Sequence, residues 1–267
     1  MHKINTNNKN LQTDLIIETN PEITAVKKST KDEVTVYEKK IDNYNYTTIE
    51  FTDITDNTSF TKVQNTFIKQ LKKYLKEDFN SYLIVGLGNN KSTPDSLGPE
   101  TLKNILVTAH LFLIGEVEST YKKTAILEPN VTGITGLETS EVIKSIIKNT
   151  DIDCVILVDS LKASHINRLN KIIQITNRGI NPGSGINNNR KEISKKTLNK
   201  EIIAIGVPTV VGIKTIIENL LHKKVTLNED LIVTPTNIDF QIEKLALLIG
   251  NGINKALHHN YKRQNNN

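Results

Sequence analysis

Residues 83–99, LIVGLGNNKSTPDSLGP, decide the fold, because a short apolar run there breaks into a loop that carries Asp95. A second apolar run, CVILVDS at residues 154–160, also breaks at an acid, Asp159. Both runs have the length and composition of buried strands, and the second is rich in β-branched residues. Ligand crevices of open α/β sheets lie at the carboxyl ends of the strands, so the two acids mark a candidate site.

Spacing alone leaves two interpretations of Asp95 and Asp159 open. Two carboxylates that meet in such a crevice can share a proton and activate water, because like charges at close range do not both ionise cheaply. In the alternative, one aspartate is the N-cap of a helix and the other is a turn residue at a strand end. Other segments of the chain are needed to decide between the two.

Short predicted strands alternate with predicted helices along the chain. We predict strands at 46–54, 82–86, 124–127, 155–158, 171–176 and 202–207, and helices at 60–75, 98–113, 135–148, 211–221 and 239–257. Residues 19–42 are charged and mixed, with no firm period. Alternation of this kind is typical of an α/β fold with a mostly parallel sheet and helices on both faces. No repeat or linker divides the body of the chain.

Composition argues against several classes of protein. The 267 residues are 37% hydrophobic and 24% charged, which is enough for a full core. A single cysteine excludes an intrachain disulfide framework and suits a reducing cytoplasm. The apolar runs are too short to cross a bilayer, so we expect no membrane partner. The net charge of +5 is spread along the chain and tryptophan is absent, so we expect no direct nucleic-acid partner.

Motifs for metals and cofactors are incomplete. None of the six histidines has the spacing of a metal-ligand motif. The glycines at 86 and 88 follow a predicted strand, but the third glycine of a dinucleotide fingerprint is replaced by Lys91. Cys154 precedes a buried run and is most simply a small core residue. We therefore expect no metal and no cofactor.

A series of segments in chain order resembles one family closely, the germination protease (spore protease) of endospore-forming bacteria. The matching segments are VGLGN at 85–89, TPDSLGP at 93–99, GITGLET at 133–139, VDSL at 158–161, GINPGSG at 179–185, RKEIS at 190–194, IAIGVPTVV at 203–211 and IVTP at 232–235. The resemblance implies a fold related to the hydrogenase-maturation proteases. It also implies an aspartic-type endopeptidase that initiates degradation of small acid-soluble DNA-binding spore proteins during germination.

Further expectations come with the same resemblance. The family's two essential aspartates fall on the segments that contain Asp95 and Asp159, which we expect to hold and activate a water molecule. The family assembles as a homotetramer, and its location is the cytoplasm of the developing spore and the spore core. This chain departs from the family in residues 43–60, which look abbreviated, and in the run after Asp159, where Lys162 and His165 differ.

A loop rich in glycine and asparagine at 179–190 is the third part of the predicted site. Taken alone, such a loop is more typical of a flexible connector. With the resemblance, we expect its backbone amides to face the substrate and stabilise an oxyanion. The residues concerned are Gly183, Ser184, Gly185 and Arg190. Basic side chains that we expect to hold acidic flanks of a substrate are Arg178, Arg190 and Lys191.

The segment TDLIIE at 13–18 resembles the word that the family cuts in its substrates, an acid followed by apolar residues and a second acid. The family is made as a zymogen that removes its own N-terminal segment. We therefore predict self-cleavage between Asp14 and Leu15, with residues 1–14 as propeptide and 15–267 as a single endopeptidase domain. A chance acidic and apolar hexamer is the simpler alternative.

Three other functions compete with this prediction. A metal-dependent maturation endopeptidase of the same fold would bind nickel through two acids and a later histidine, and residues 181–191 contain no histidine. A catalytically silent protein that binds spore proteins would not need both aspartates. A peptidyl-tRNA hydrolase shares the opening IVGLGN at 84–89, but that likeness ends after six residues.

Overall fold

The computed structural model describes residues 14–19, 27–115, 117–118, 120–181, 191–227, 231–259 and 261. Within these residues, one mixed sheet is covered by helices. Its strands are β1 Lys27–Lys31, β2 Val34–Ile41, β3 Tyr44–Glu50, β4 Ser81–Gly86, β5 Lys123–Leu127, β6 Cys154–Ala163, β7 Ile172–Thr176, β8 Glu201–Gly212 and β9 Ile232–Val233. No helix of this described part is long and apolar enough to cross a membrane.

The strand order is β1-β2-β3-β7-β8-β6-β4-β5, with β9 paired to β8. The four strands β5, β4, β6 and β8 are parallel. On the other side of β8, the strands β7, β3, β2 and β1 add in antiparallel fashion. The predicted α/β class is therefore confirmed, but the sheet is mixed rather than mostly parallel, because the antiparallel strands β1, β2, β3 and β7 extend it beyond β8. Its parallel part carries both aspartates.

Strands β1 and β2 were missed in the sequence, because β1 is exposed at every residue and has no apolar period. Their turns do carry a signal. Asp32 and Glu33 join β1 to β2, and Asp42 and Asn43 join β2 to β3, all four with positive φ between 49° and 70°. A two-residue loop with both φ values positive is the hairpin turn whose twist matches that of the strands, and Asp and Asn tolerate it best.

The helices of the described residues are α1 Ile16–Thr19, α2 Asn57–Lys72, α3 Leu97–Leu102, α4 Ala109–Ile114, α5 Thr132–Thr135, α6 Thr139–Lys148, α7 Lys195–Leu198, α8 Ile213–Leu221 and α9 Ile238–Leu257. The prediction of one continuous helix over 98–113 is wrong, because α3 and α4 are separate. Between them, the Leu106 N–H donates to Asn254 Oδ1 and the Leu106 carbonyl accepts from Thr124. Tertiary partners thus replace the helical hydrogen bonds there.

Two apolar layers cover the two faces of the parallel strands. Alternate side chains of a strand point to opposite faces. Ile84 and Ile156 are buried in one layer with residues of α2 and α9, whereas Leu83 and Val155 are buried in the other with Ile143 of α6. The central strands are buried on both sides, which explains their unbroken apolar sequences.

Gly98 lets α3 begin directly against the backbone of β4 and β6. A Cβ added at Gly98 would lie 2.2 Å from the Leu87 carbonyl oxygen and 2.6 Å from the Val158 carbonyl oxygen. Distances below 3 Å are not tolerated without movement of one of the two backbones, so only glycine permits this approach. Because Asp95 precedes α3 and Asp159 follows Val158, the contact fixes the two aspartates relative to each other.

We predict that Gly98→Ala lowers the free energy of unfolding by about 1–3 kcal/mol, since overpacking forces backbone shifts. The measurement is urea unfolding followed by circular dichroism. Gly133→Ala is the matched control, because Gly133 lies in α5 with nothing within 4 Å of an added Cβ. Equal stability of Gly98→Ala and the wild type would contradict the proposed contact.

His258, at the end of α9, is a buried neutral imidazole. It is 1% exposed, and its Nδ1 accepts a hydrogen bond from the Lys122 N–H at 3.2 Å, which requires an unprotonated Nδ1. Burial lowers the pKa of His258 from 6.5 to about 4. Between these values the unfolded chain binds a proton that the folded chain does not bind, so stability falls as the pH falls through this window.

We predict that His258→Asn makes the loss of stability between pH 6.5 and pH 4 smaller by at most about 3 kcal/mol, because asparagine does not titrate. The measurement is the free energy of unfolding in urea across that range. The exposed neighbour supplies the control, His259→Asn, for which the wild-type pH dependence is expected. An unchanged slope in His258→Asn would refute the assignment.

Candidate active site

Asp95 lies in a tight loop between β4 and α3. It ends a 3₁₀ turn, Thr93–Asp95. The Asp95 N–H donates to the Ser92 carbonyl at 2.8 Å, and the Asp95 carbonyl accepts from the Asn89 N–H at 2.9 Å. Gly88, with a φ of 116°, permits this closure, because a Cβ there would lie 2.0 Å from the Asp95 carbonyl oxygen. The loop therefore holds Asp95 through its backbone.

A bulge in β8 contacts the loop that carries Asp95. Leu161 of β6 pairs with Pro208, but the next residue, Lys162, pairs with Val210, so Thr209 is the extra residue. Its hydroxyl donates to the Pro94 carbonyl at 2.6 Å. Bulges commonly re-aim a side chain beside a site, and proline is tolerated where the ladder is irregular. Sequence reasoning missed Thr209, although a proline inside an apolar strand pattern signals such a bulge.

Asp159 lies inside β6 and is 8% exposed. The prediction that the strand ends at this acid is wrong, because β6 continues to Ala163. The neighbour β4 is the strand that ends there, with Gly86 opposite Val158. The Ser160 N–H donates to Asp159 Oδ1 at 2.9 Å. The crevice thus opens where β4 stops and the longer β6 runs on beside it.

Asp95 and Asp159 line one cleft of about 510 Å³. This volume lies within the usual range for ligand sites. The cleft is also lined by polar residues from several elements, among them Ser92, Asn130, Thr139, Lys162, Gln174, Thr176, Arg178 and Thr209. The structure therefore brings together the two aspartates that are 64 positions apart in the sequence (159 − 95).

Lys162 of β6 also lines this cleft. Its side chain is among the largest fully buried ones, and the residue is 2% exposed. A buried ammonium requires compensation by charge or hydrogen bonds. In the sequence, Lys162 was noted only as a departure from the family pattern.

The predicted basic residues have different environments. Arg178 lines the cleft, and its Nη1 donates to the Tyr46 hydroxyl at 3.3 Å, an interaction that raises the pKa of Arg178. Lys191 is instead paired with Glu141 at 2.8 Å, which raises the pKa of Lys191. Arg190 and the loop residues Gly183, Ser184 and Gly185 lie outside the described residues.

Asp14, at the predicted self-cleavage site, also lines the cleft. Its N–H donates to the Lys162 carbonyl at 2.9 Å, and Asp14 Oδ2 accepts from the Lys162 N–H at 2.9 Å. Gln174 Nε2 donates to the Asp14 carbonyl at 3.2 Å. Sequence reasoning missed Gln174, although a glutamine that interrupts the apolar run of β7 is the kind of signal that marks a buried polar contact.

Comparison with known proteins identifies the family. The family model described as germination protease matches residues 2–223. The chain belongs to the germination protease family. The germination protease of Bacillus cereus (strain G9842) is 34% identical over 330 aligned residues, covering 96% of this chain and 90% of that protein. That of Bacillus anthracis (strain A0248) is 36% identical over 294 residues, covering 83% and 80% respectively.

Membership of the germination protease family confirms the resemblance and makes the chain a peptidase, that is, a hydrolase. The alignment with the Bacillus cereus protein is longer than the 267 residues of this chain, so that relative has segments that this germination protease lacks. The propeptide and domain boundaries, and the roles of Asp95 and Asp159, stay predictions.

A solved structure of a [NiFe] hydrogenase maturation protease, HycI from Thermococcus kodakarensis KOD1, overlaps with 69% of this chain and 98% of its own. The sequence identity is 16% and the TM-score is 0.39. In the described residues of this germination protease, no three His, Cys, Asp or Glu side chains cluster as metal ligands. The expectation of a site without metal stays a prediction.

Proposed function

We propose that this germination protease is an aspartic-type endopeptidase that initiates the degradation of small acid-soluble DNA-binding spore proteins during spore germination. The observation that carries the proposal is the meeting of Asp95 and Asp159 in one cleft. The two acids come from separate elements, and tight backbone contacts at Gly88 and Gly98 hold the elements together. Such rigid placement is what a catalytic pair requires.

In this mechanism the two carboxylates share one proton and hold a water molecule between them. The ionised carboxylate takes a proton from the water as its oxygen attacks the scissile carbonyl carbon. The protonated carboxyl group then supplies the proton that the leaving amine needs when the C–N bond breaks. The products are a new carboxyl group and a new amino group. The pair titrates as a unit, so the roles of acid and base belong to the pair.

We predict that Asp95→Asn and Asp159→Asn each reduce cleavage of a small acid-soluble spore protein by about 10²–10⁴-fold, the usual contribution of a general acid or base. Cleavage is followed by gel electrophoresis and mass spectrometry, and circular dichroism checks the fold. The control is Asp151→Asn, which removes the same charge from an exposed residue outside the cleft. Activity of Asp159→Asn within threefold of the wild type would exclude the two-carboxylate mechanism.

A metal chelator separates this proposal from a metal-dependent maturation endopeptidase. With EDTA present throughout, we expect the rate of cleavage by the wild type to be unchanged. Loss of cleavage that is restored by added metal would favour the metal-dependent alternative. A chain that binds the spore protein and never cuts it would be the catalytically silent binder.

The proposal includes self-processing, with residues 1–14 as propeptide and 15–267 as the endopeptidase domain. It is supported by the position of Asp14 on the cleft that Asp95 and Asp159 also line. We predict that intact-mass analysis of purified protein at mildly acidic pH finds loss of residues 1–14 in the wild type. The Asp95→Asn and Asp159→Asn chains should keep their full mass. A mature chain that starts elsewhere than Leu15 would refute this boundary.

A homotetramer in the cytoplasm of the developing spore and in the spore core completes the proposal. Exposed apolar side chains near the end of α8 support self-association, since large exposed apolar patches mark interaction surfaces. Leu220 is 72% exposed and Leu221 is 54% exposed. Light scattering coupled to gel filtration gives the number of subunits directly.

A further inference from the structure

Residues 14–18, DLIIE, lie along the part of β6 that extends beyond Asp159. Asp14 makes two backbone contacts with Lys162, one through its own N–H and one through its carboxylate. Residues Ile16–Thr19 form the short helix α1, so the segment meets β6 through the backbone and the carboxylate of Asp14 rather than as an added strand. The end of β6 is therefore a surface that binds the chain's own segment.

Gln174 holds the backbone on both sides of Leu15. Its Nε2 donates to the Asp14 carbonyl at 3.2 Å, and its Oε1 accepts from the Ile16 N–H at 2.8 Å. One side-chain amide thus satisfies the carbonyl of the bond between Asp14 and Leu15 and the N–H of the next peptide bond, between Leu15 and Ile16. Both hydrogen bonds of Gln174 are made to backbone atoms. They can therefore fix the register of a bound peptide without selecting its side chains.

An apolar pocket receives the residue directly after that bond. Leu15 is fully buried. Its pocket is formed by side chains of β6, β7, β8 and the turn before β7, namely Leu161, Ala163, Leu169, Ile172 and Val211. Burial of a leucine side chain is favourable because it removes a large apolar surface from water. This position therefore selects a large apolar side chain.

A charged pocket receives the carboxylate three residues further on. The side chain of Glu18 is fully buried, and its Oε2 accepts from the Ser164 N–H at 2.7 Å. Its Oε1 lies 2.9 Å from Arg168 Nη1. Burial of a carboxylate is costly unless it is paired and hydrogen-bonded, and this pocket supplies both. A neutral side chain there would leave Arg168 without this partner.

We propose that the Ser164 amide and Arg168 form the subsite for an acidic residue at the fourth position after the cleaved bond of a protein substrate. Gln174 and the apolar pocket set the register, and segment 14–18 is the chain's own occupant of these subsites. This assignment rests on the proposed function. The second acid of the word that germination proteases cut is thus assigned to the Ser164 amide and Arg168.

The chain's own segment competes with any added peptide. It remains tethered to β1, so its effective concentration is high and it lowers the apparent affinity of every peptide by the same factor. Ratios of rates between peptides are independent of this factor. The ratio of kcat/KM values is therefore the informative quantity.

The test uses synthetic peptides that reproduce residues 10–21, NLQTDLIIETNP, with Glu, Gln or Lys at the position of Glu18. We expect the full chain to cut the Glu peptide about tenfold or more faster, in kcat/KM, than the Gln peptide, as for loss of a charged hydrogen bond. In Arg168→Gln this ratio should approach one. In Arg168→Glu the preference should turn to the Lys peptide.

The control is Lys171→Gln, which changes an exposed cation next to β7 and should keep the wild-type ratio. A merely structural role of Arg168 would slow all three peptides equally. The inference is therefore overturned if Arg168→Gln keeps the wild-type ratio, or if the wild type does not distinguish Glu from Gln.

A second measurement does not depend on cutting. The chain used carries Asp159→Asn, which prevents cutting, and Glu18→Ala, which removes the carboxylate from the charged pocket. Hydrogen exchange at the Ser164 amide then reports whether a peptide carboxylate fills that pocket. Glu18→Gln replaces Glu18→Ala if the alanine variant is poorly folded. We expect exchange at the Ser164 amide to be slower with the Glu peptide than with the Gln peptide at equal concentration.

The two measurements separate the failure of each proposal. If the Asp159→Asn, Glu18→Ala chain distinguishes the Glu peptide from the Gln peptide in exchange and the wild type cuts no peptide, the acidic subsite is kept and the proposed function is rejected. Cutting of all peptides at equal rates, without discrimination in exchange, would keep the function and reject the subsite.

Discussion

The site depends on one close approach, that of α3 to the backbones of β4 and β6 at Gly98. Helices normally stand away from a sheet because side chains separate them. Here the absence of a Cβ lets the first turn of α3 reach the carbonyls of Leu87 and Val158. The loop before α3 carries Asp95, and the residue after Val158 is Asp159. A packing contact between backbones is therefore also what sets the geometry of the two carboxylates.

Strand β6 extends beyond the end of β4 and therefore carries both Asp159 and residues that bind segment 14–18. The first half of β6 is a buried central strand, and Asp159 stands where its neighbour β4 has ended. The next residues no longer pair with β4, and Lys162 and Ser164 offer N–H groups to segment 14–18. The distance along the strand between Asp159 and this edge is fixed by the covalent chain. One strand therefore sets both where a peptide bond is attacked and which residues flank it.

The parallel half of the sheet and the aspartate pair could be predicted from the sequence because buried strands have strong apolar runs and the acids interrupt them. Strand β1 could not, since all its residues are exposed and pairing alone holds it. The lengths of β6 and β8 were underestimated, because Asp159 and Pro208 resemble strand ends when neighbouring strands are unknown. Gln174 and Arg168 were missed as site residues, because their partners lie about 150 residues earlier in the chain.

The buried ion pair between Glu18 and Arg168 has a thermodynamic property that suits a subsite better than a structural clamp. Desolvation of two charges offsets most of their attraction, so such a pair adds little net stability. The loss of the acid is costly, however, because the partly buried Arg168 then keeps its charge without this partner. A substrate with the acid can therefore replace segment 14–18 at modest cost in free energy. A peptide without the acid leaves Arg168 unpaired and binds less favourably. Weak net binding and strong discrimination follow from the same contact.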